Sequence, residues 1–397
     1  MPDDINYIPY GKQAINDDDI SAVIDVLKSD FLTQGPVVPK FEQAVTEYCQ
    51  AKYGIAVNSA TSALHIACLA LEVGQGDLVW TSATTFVASS NCALYCGAEV
   101  DFLDINPRTF NIDVKHLEEK LQLANEENRL PKVVIVVHMC GQPCDMEEIH
   151  TLSKKYKFKI IEDAAHAIGS SYKEFKTGSC QFSDITTFSF HPVKIITTAE
   201  GGLAVTNNEV LANKMRLLRN HGITREESEM VNQPVGGWYY EQIMLGFNYR
   251  MTELQAALGL SQLSRLDGFV TRRNELAKNY NDLLKALPIE VPFIIGDRES
   301  SFHLYVICLK LDEIKLSHRD IFSKLRSFGI GVNLHYMPVY LQPYYQGLNF
   351  SEGKFVKGYC VEAESYANSA ISLPLFPSLA LEDQVSIVAQ LKELLCQ

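Results

Sequence analysis

Two residues of this chain, Lys194 and Asp163, have the types and the setting that imine chemistry requires. Lys194 ends the run Ser-Phe-His-Pro-Val-Lys at 189–194, and Asp163 stands in the run Glu-Asp-Ala-Ala-His at 162–166. A lysine amine can form a Schiff base with an aldehyde cofactor, and a carboxylate against a pyridine nitrogen keeps that ring cationic and electron-withdrawing. The pair therefore predicts a pyridoxal 5'-phosphate site in which both residues are catalytic.

Short β-rich segments should position these side chains. The residue types at 156–161, 184–190 and 202–206 predict strands. Ligands of α/β proteins collect at the carboxyl ends of such strands, so we expect a carboxylate, a hydroxyl and an amine at one sheet edge. Taken singly, Lys194 is typical of a solvated surface lysine and Asp163 of a turn residue. Their joint occurrence, with hydroxyl and glycine flanks, favours the cofactor site.

A helix start rich in small and hydroxyl residues offers a place for a phosphate. Ser59, Thr61 and Ser62 stand at the beginning of an apolar segment that predicts a helix over 61–71. The free backbone N–H groups and the positive dipole end of a helix N-terminus attract anions. We therefore expect Ala60 and Thr61 to bind the cofactor phosphate.

The order of predicted elements indicates an α/β fold with two units. Strand and helix patterns alternate up to about residue 259, which predicts a large unit over 1–259 with a mostly parallel sheet covered by helices. Residues 260–397 predict a small α+β unit. Its expected elements are a helix over 263–286, a strand over 302–310, a helix over 317–327, a strand near 330–332 and a helix over 381–395.

Beyond the two central motifs, further short segments of the chain occur in the order that is typical of one enzyme family. The chain resembles the nucleotide-sugar aminotransferases of the DegT/DnrJ/EryC1/StrS family along nearly its whole length, in the segments 30–36, 58–64, 162–166, 189–194, 197–202, 246–255 and 372–375. The resemblance implies a fold type I pyridoxal phosphate aminotransferase that forms a homodimer with shared active sites. One departure is Ala199, where the family often has glycine.

The resemblance also implies roles for individual residues. Phe86 would stack on the cofactor ring, His166 would contact the side of its phenolic oxygen, and Ser189 would donate to its phosphate. Asn248 would reach the cofactor phosphate of the neighbouring subunit, with Arg250 as a weaker candidate. Without the resemblance, these residues are equally typical of a core aromatic, a buried histidine, a strand hydroxyl and a helix start.

The lysine itself bears on the type of reaction. In one dehydratase branch of the family a histidine replaces it, so Lys194 favours transamination, with L-glutamate as the expected amino donor. The free amine would then move a proton between the substrate carbon and the cofactor. A non-catalytic regulatory protein of the same fold is the alternative from another class.

The segments 8–13, 30–36 and 332–345 resemble the branch that makes UDP-4-amino-4,6-dideoxy-N-acetyl-β-L-altrosamine for pseudaminic acid. This resemblance implies a UDP-linked 4-keto sugar as substrate and makes Thr33 and Tyr336 expected substrate contacts. The alternative within enzymes is an aminotransferase for another UDP- or dTDP-linked keto-deoxy sugar, acting at C4 or C3.

Composition sets the remaining expectations. The 397 residues are 47% hydrophobic and carry a net charge of -13 with no basic stripe, which argues against a nucleic acid partner. No apolar run reaches the length of a membrane span, and the start lacks a basic segment followed by an apolar one, so we expect a cytoplasmic protein without membrane contact. The ten cysteines, which form no regular framework, are expected to be reduced and mostly buried, without a metal site.

Overall fold

The computed structural model describes residues 7–348 and 353–396. Its helices are α1 (Asp17–Leu27), α2 (Val37–Cys49), α3 (Ala60–Ala70), α4 (Ala88–Tyr95), α5 (Val114–Glu126), α6 (Met146–Tyr156), α7 (Glu209–Arg219), α8 (Glu253–Leu263), α9 (Leu266–Leu284), α10 (His318–Ser327), α11 (Pro343–Gln346), α12 (Val361–Ser369) and α13 (Leu381–Leu395). Its strands are β1 (Tyr53–Val57), β2 (Leu78–Ser82), β3 (Glu99–Leu103), β4 (Val133–Val137), β5 (Lys159–Asp163), β6 (Ser171–Tyr172), β7 (Phe175–Lys176), β8 (Ile185–Ser189), β9 (Gly202–Thr206), β10 (Ile223–Thr224), β11 (Glu241–Gln242), β12 (Ile289–Glu290), β13 (Arg298–Glu299), β14 (Tyr305–Leu309) and β15 (Ala370–Leu373).

A seven-stranded sheet forms the centre of the large unit, in the order β1-β9-β8-β5-β4-β2-β3. Only β9 runs antiparallel to its neighbours β1 and β8, whereas the pairs from β8 to β3 are parallel. The all-apolar sequence of β4 is buried at every position, because helices cover both faces of the sheet. The prediction of an α/β fold with a mostly parallel sheet is confirmed.

The neighbouring strands β5 and β8 bring the two central motifs together. They are parallel, and Asp163 at the end of β5 lies opposite Thr187 of β8. Ser189 ends β8, and the chain then turns through Lys194 before β9 returns antiparallel with Gly202 paired to Ser189. The carboxylate, the hydroxyl and the amine therefore meet at one edge, as the strand pattern indicated.

A second core forms among α9, α10, α13 and the antiparallel sheet β12-β14-β15. Three expectations for this part of the chain were wrong in detail. The helix expected over 263–286 begins at Leu266, because the chain breaks after α8 at Ser264 and Arg265. The strand expected over 302–310 begins only at Tyr305, since Phe302 has a positive φ of 44°. No strand forms over 330–332, where Ile330 makes an isolated bridge instead.

The N-terminal segment packs on the small unit rather than on the large sheet. Ile8 donates its N–H to the Gly329 carbonyl at 2.9 Å, and Gly331 donates to the Ile8 carbonyl at 2.7 Å. In the opposite direction, side chains from Val339 to Ala370 pack into the core of the large unit. The two units therefore contact each other through both the N-terminal segment and the stretch from Val339 to Ala370. The boundary near residue 259 stays a prediction.

The cysteines of the chain all carry free thiols, and six of the ten are buried. This agrees with the expectation from their apolar neighbours, because a buried thiol behaves as a small apolar group. Among the helices of the described residues, none combines the length and the apolar character that crossing a membrane requires.

Candidate active site

A pocket of about 940 Å³ lies between the carboxyl edge of the central sheet and the small unit. Most of the residues expected from the sequence line it, namely Ala60, Thr61, Phe86, Asp163, His166, Ser189, Lys194 and Tyr336. A pocket at this edge of a parallel sheet is the usual ligand position in α/β proteins.

Asp163 is held in one orientation by two hydrogen bonds. The Ser89 hydroxyl donates to Oδ2 of Asp163 at 2.6 Å, and the Ala165 N–H donates to Oδ1 at 3.1 Å. The side chain is 6% exposed and lines the pocket. The remaining lone pairs of the carboxylate are available to accept a hydrogen bond from a ligand.

Lys194 stands in a tight turn after β8. Its N–H donates to the His191 carbonyl at 2.9 Å, and its side chain lines the same pocket as Asp163. Burial lowers the pKa of the Lys194 amine to about 8, an effect that the charge of Asp163 opposes. A lysine with this pKa has a substantial neutral fraction near pH 7 to 8, which both nucleophilic attack and proton transfer require.

The lowered pKa of Lys194 predicts how the rate at which the apoprotein captures pyridoxal phosphate depends on pH. Below about pH 8 the amine is mostly protonated, so the capture rate should rise about tenfold per pH unit and level off above about pH 8. Stopped-flow absorbance at several pH values measures this rate. Asp163→Asn should move the midpoint to lower pH, because the carboxylate charge raises the pKa of Lys194. An unchanged midpoint in that variant would contradict the coupling.

The start of α3 forms a cradle of backbone amides on one wall. Ser59 caps the helix by accepting from the Ser62 N–H at 3.2 Å, and the Ser62 hydroxyl donates to Asn58 Oδ1 at 2.6 Å. Ala60 and Thr61 are the first residues of the helix, whose amides have no intrahelical acceptor. The hydroxyl-bearing side chain of Ser189 lines the same pocket, which suits a phosphate group.

Gly202 permits β9 to pack directly against this cradle. A Cβ at Gly202 would lie 2.5 Å from the backbone of Ser59 and Ala60. Gly202→Ala should therefore shift the start of α3, cost about 1–3 kcal/mol in the free energy of unfolding and weaken cofactor binding. Gly74→Ala is the matched control, because no atom lies within 4 Å of its added Cβ. Urea unfolding and a cofactor titration test both effects, and equal results for the two variants would contradict the prediction.

An aromatic and imidazole wall faces the cradle. Phe86 is 57% exposed although it lines the pocket, and its ring centroid lies 6.1 Å from that of Tyr336. The Tyr336 hydroxyl lies 3.3 Å from Nε2 of His166. Nδ1 of His166 is buried and has no hydrogen-bond partner among the described residues. Burial, together with the charge of Lys194, holds the pKa of His166 well below its usual value. His166 is therefore a neutral imidazole with one nitrogen left for a ligand.

Sequence reasoning missed two further histidines of this wall. The His303 ring lies 4.3 Å from the His166 ring, centroid to centroid, and His335 accepts or donates at 2.8 Å with the Ser372 hydroxyl. Burial and the charge of Lys194 lower the pKa of both, that of His335 to about 3. His335 stands inside the 332–345 segment that the sequence singled out, whereas His303 stood in a segment interpreted only as a strand.

Three residues expected at the site, Thr33, Asn248 and the weaker candidate Arg250, do not line the pocket of their own chain. Asn248 is exposed, next to Tyr249, whose carbonyl accepts from the Asn58 N–H at 2.9 Å. Thr33 is exposed in the loop before α2, where the neighbouring Leu32 carbonyl accepts from the Glu253 N–H at 3.0 Å. This loop is anchored to α8, so Thr33 does not reach the pocket of its own chain, and its role as a substrate contact stays a prediction.

Ala199 has the backbone conformation that glycine favours at this position of the family pattern. It has a positive φ of 64°, a region that glycine enters without steric cost and alanine does not. Its N–H donates to the Thr197 hydroxyl at 3.0 Å, and the Thr198 hydroxyl donates to the Glu200 carbonyl at 2.8 Å. These bonds hold the loop after Lys194 in the conformation that glycine would otherwise favour.

The pocket as a whole fits pyridoxal phosphate. It offers an amine, an acceptor carboxylate, helix-start amides, an exposed aromatic face and an unpartnered buried imidazole nitrogen in one cavity. Unpaired buried nitrogens are costly, so the free Nδ1 of His166 indicates that a ligand belongs here.

Comparisons with known proteins agree with this chemistry. The model of the DegT/DnrJ/EryC1/StrS aminotransferase family matches residues 13–392. The UDP-4-amino-4,6-dideoxy-N-acetyl-beta-L-altrosamine transaminase of Campylobacter jejuni is 39% identical over 377 residues, which are 95% of this chain and 94% of that protein. The spore coat polysaccharide biosynthesis protein SpsC of Bacillus subtilis is 36% identical over 394 residues, 98% of this chain and 97% of that protein.

Among solved structures, PseC of Helicobacter pylori, an aminotransferase involved in the biosynthesis of pseudoaminic acid, superposes with a TM-score of 0.89 at 31% identity and covers 98% of this chain and 99% of its own. Spr1654 of Streptococcus pneumoniae in its PLP form gives a TM-score of 0.85 at 30% identity, with 98% of each chain covered. Similarity at this coverage extends over both units of the fold.

Proposed function

Since this chain belongs to the DegT/DnrJ/EryC1/StrS aminotransferase family and is a pyridoxal phosphate-dependent sugar aminotransferase, we propose that it aminates C4 of a UDP-4-keto-6-deoxy-N-acetylhexosamine. L-glutamate is the proposed donor, and UDP-4-amino-4,6-dideoxy-N-acetyl-β-L-altrosamine is the proposed product. The observation that carries the proposal is that residues 333–336, within the segment resembling the pseudaminic acid branch, line the same pocket as Lys194 and Asp163.

Lys194 is proposed to act as the general base and the general acid of the reaction. Bound pyridoxal phosphate supplies an aldehyde that condenses with amines and a ring that withdraws electrons when its nitrogen is protonated. The Nζ atom of Lys194 would take the proton from the α-carbon of glutamate and pass it to the aldehyde-derived carbon of the cofactor. In the second half-reaction it would take a proton from that carbon and deliver it to C4 of the sugar. The pKa of about 8 suits both directions near neutral pH.

The other pocket residues are proposed to bind the cofactor and to fix its orientation. The carboxylate of Asp163 accepts from the ring nitrogen, while the amides of Ala60 and Thr61 and the hydroxyl of Ser189 hold the phosphate. Phe86 would stack on the ring, and His166 would contact the side of its phenolic oxygen. The family resemblance implies these roles, and the position of all these residues around one cavity supports them.

We further propose that a second copy of the chain completes each site. Among the described residues that line the pocket, Lys194 is the one lysine or arginine, although the ligands carry phosphates and carboxylates. Asn248 and Thr33 are exposed and would reach the pocket of the partner. Exposed apolar side chains nearby, Val231, Val235, Trp238 and Leu245, would be covered by that contact.

The visible absorption spectrum of the protein with pyridoxal phosphate tests the proposal. L-glutamate should bleach the band of the Lys194-bound cofactor and release 2-oxoglutarate, and the UDP-4-keto sugar should then restore the band. A parallel addition of a dTDP-linked 4-keto-6-deoxyhexose provides the control for sugar choice.

Each outcome separates one part of the proposal. Bleaching without recovery by the UDP sugar would keep the aminotransferase chemistry and reject the sugar. Recovery with the dTDP sugar alone would reject the UDP-linked N-acetylhexosamine and favour a dTDP-linked 4-keto-6-deoxyhexose as substrate. Bleaching by another amino acid but not by L-glutamate would reject the donor.

A further inference from the structure

A pair of buried hydroxyl groups lies behind the Asp163 carboxylate. Ser89, in the first turn of α4, is fully buried and donates to Oδ2 of Asp163 at 2.6 Å. The Thr85 hydroxyl lies 2.7 Å from the Ser89 hydroxyl. Thr85 lines the pocket and Ser89 does not, so Ser89 touches the site only through Asp163 and Thr85.

Proton counting sets the direction of these hydrogen bonds. An ionised carboxylate only accepts, and a serine hydroxyl has a single proton to donate. The proton of Ser89 therefore lies toward Asp163, and Ser89 must accept from Thr85. The resulting chain runs from Thr85 through Ser89 to Oδ2, while the Ala165 N–H occupies Oδ1 at 3.1 Å.

We propose that Thr85 and Ser89 form a hydroxyl pair that positions the Asp163 carboxylate for the ring nitrogen of the cofactor. The inference rests on the proposed role of Asp163. A donor behind Oδ2 and a second behind Oδ1 fix the plane of the carboxylate, so its free lone pairs point in one direction. Hydrogen bonds that share a polarised hydroxyl also strengthen one another in a buried setting.

The same geometry assigns a constraint to Thr85. Because its only proton is given to Ser89, its hydroxyl oxygen can offer only lone pairs to the pocket. Thr85 therefore accepts from ligand groups and does not donate to a phosphate or a carboxylate. This separates it from the anion-binding start of α3.

The test measures pyridoxal phosphate affinity of the apoprotein by fluorescence titration, alongside the free energy of unfolding in urea. Ser89→Ala should raise the dissociation constant about tenfold, because Asp163 loses its charge-assisted hydrogen bond. Ser90→Ala is the matched control on the same helix. Its hydroxyl is equally buried but contacts the Tyr345 hydroxyl at 2.6 Å and the Val87 carbonyl at 3.1 Å instead of Asp163.

Thr85 provides a second, independent pair of variants. Thr85→Val removes the hydroxyl with little change of shape and should weaken cofactor binding several-fold, whereas Thr85→Ser keeps the hydroxyl and should bind as the wild type does. Rescue by the conservative variant is a result that a purely structural role of the side chain would not give.

Two results would overturn the inference. One is a dissociation constant for Ser89→Ala that equals that of Ser90→Ala. The other is an equal loss in Thr85→Val and Thr85→Ser. Asp163→Asn in the same titration distinguishes this failure from failure of the proposed site, since an unchanged affinity in that variant would reject the role of Asp163 itself.

Discussion

Lys194→Ala is expected to leave a folded protein that binds no cofactor covalently and has turnover reduced by at least about 10⁴-fold. The amine is both the covalent anchor and the proposed proton carrier, and general acid–base catalysis alone contributes about 10²–10⁴-fold. No other lysine or arginine lines the pocket within the described residues, so no neighbouring amine replaces it. Absorption spectra and steady-state rates of the variant measure both effects.

The variant should also be at least as stable as the wild type without cofactor. The pKa of Lys194 falls to about 8 in the folded protein, against about 10.4 in an unfolded chain, so the unfolded state binds more protons between these values. Wild-type stability should therefore rise relative to Lys194→Ala as pH increases from about 8 to 10.4. Lys115→Ala, at an exposed lysine, is the control for both measurements. Wild-type turnover in Lys194→Ala would falsify the central assignment.

Asp163→Ala is expected to lower turnover by orders of magnitude while the protein still folds. Without a carboxylate, the ring nitrogen loses the group that keeps it protonated, and the ring withdraws electrons less strongly. The change also leaves the Ser89 hydroxyl and the Ala165 N–H without their acceptor, at a cost of about 1–3 kcal/mol in stability. Asp163→Asn keeps an acceptor oxygen for only one of the two donors, so it should recover part of this stability but not turnover.

The neighbouring Glu162 supplies the matched control for Asp163. It is an equally buried carboxylate on β5, but successive side chains of a strand point to opposite faces. Glu162 contacts Nε2 of His138 at 2.7 Å and accepts from the Thr186 hydroxyl at 2.9 Å, away from the pocket. Glu162→Gln should change stability and leave turnover near the wild-type value. Normal turnover in Asp163→Ala would mean that another acid holds the ring nitrogen.

The local pattern of the sequence was sufficient for the central sheet and for the residues at strand ends. Asp163 and Ser189 end the neighbouring strands β5 and β8, so their meeting follows from the parallel order of these two strands. The cradle at Ala60 and Thr61 likewise depends on one helix start. Such features are set within a few residues, by apolar periodicity and by capping side chains.

Local signals failed where the chain depended on distant partners. The short strand expected over 330–332 did not form, because Ile330 pairs with Ile8, more than 300 positions away. The apolar segment expected to form β14 starts at Phe302, but the strand begins only at Tyr305, because Phe302 has a positive φ. Both outcomes reflect tertiary contacts that override the preferences of a short segment.

The sequence by itself was enough to predict which residues carry the chemistry, since Lys194, Asp163 and the start of α3 each stand in a recognisable local setting. Only the tertiary structure decided what surrounds them. The Ser89 hydroxyl donates to Asp163, which lies 74 positions further along the chain. His303 packs on His166, although the two residues belong to different sequence segments. The lowered pKa of Lys194 likewise arises from burial by several elements at once. Hydrogen-bond partners and desolvation are properties of the folded packing, and no short segment contains them.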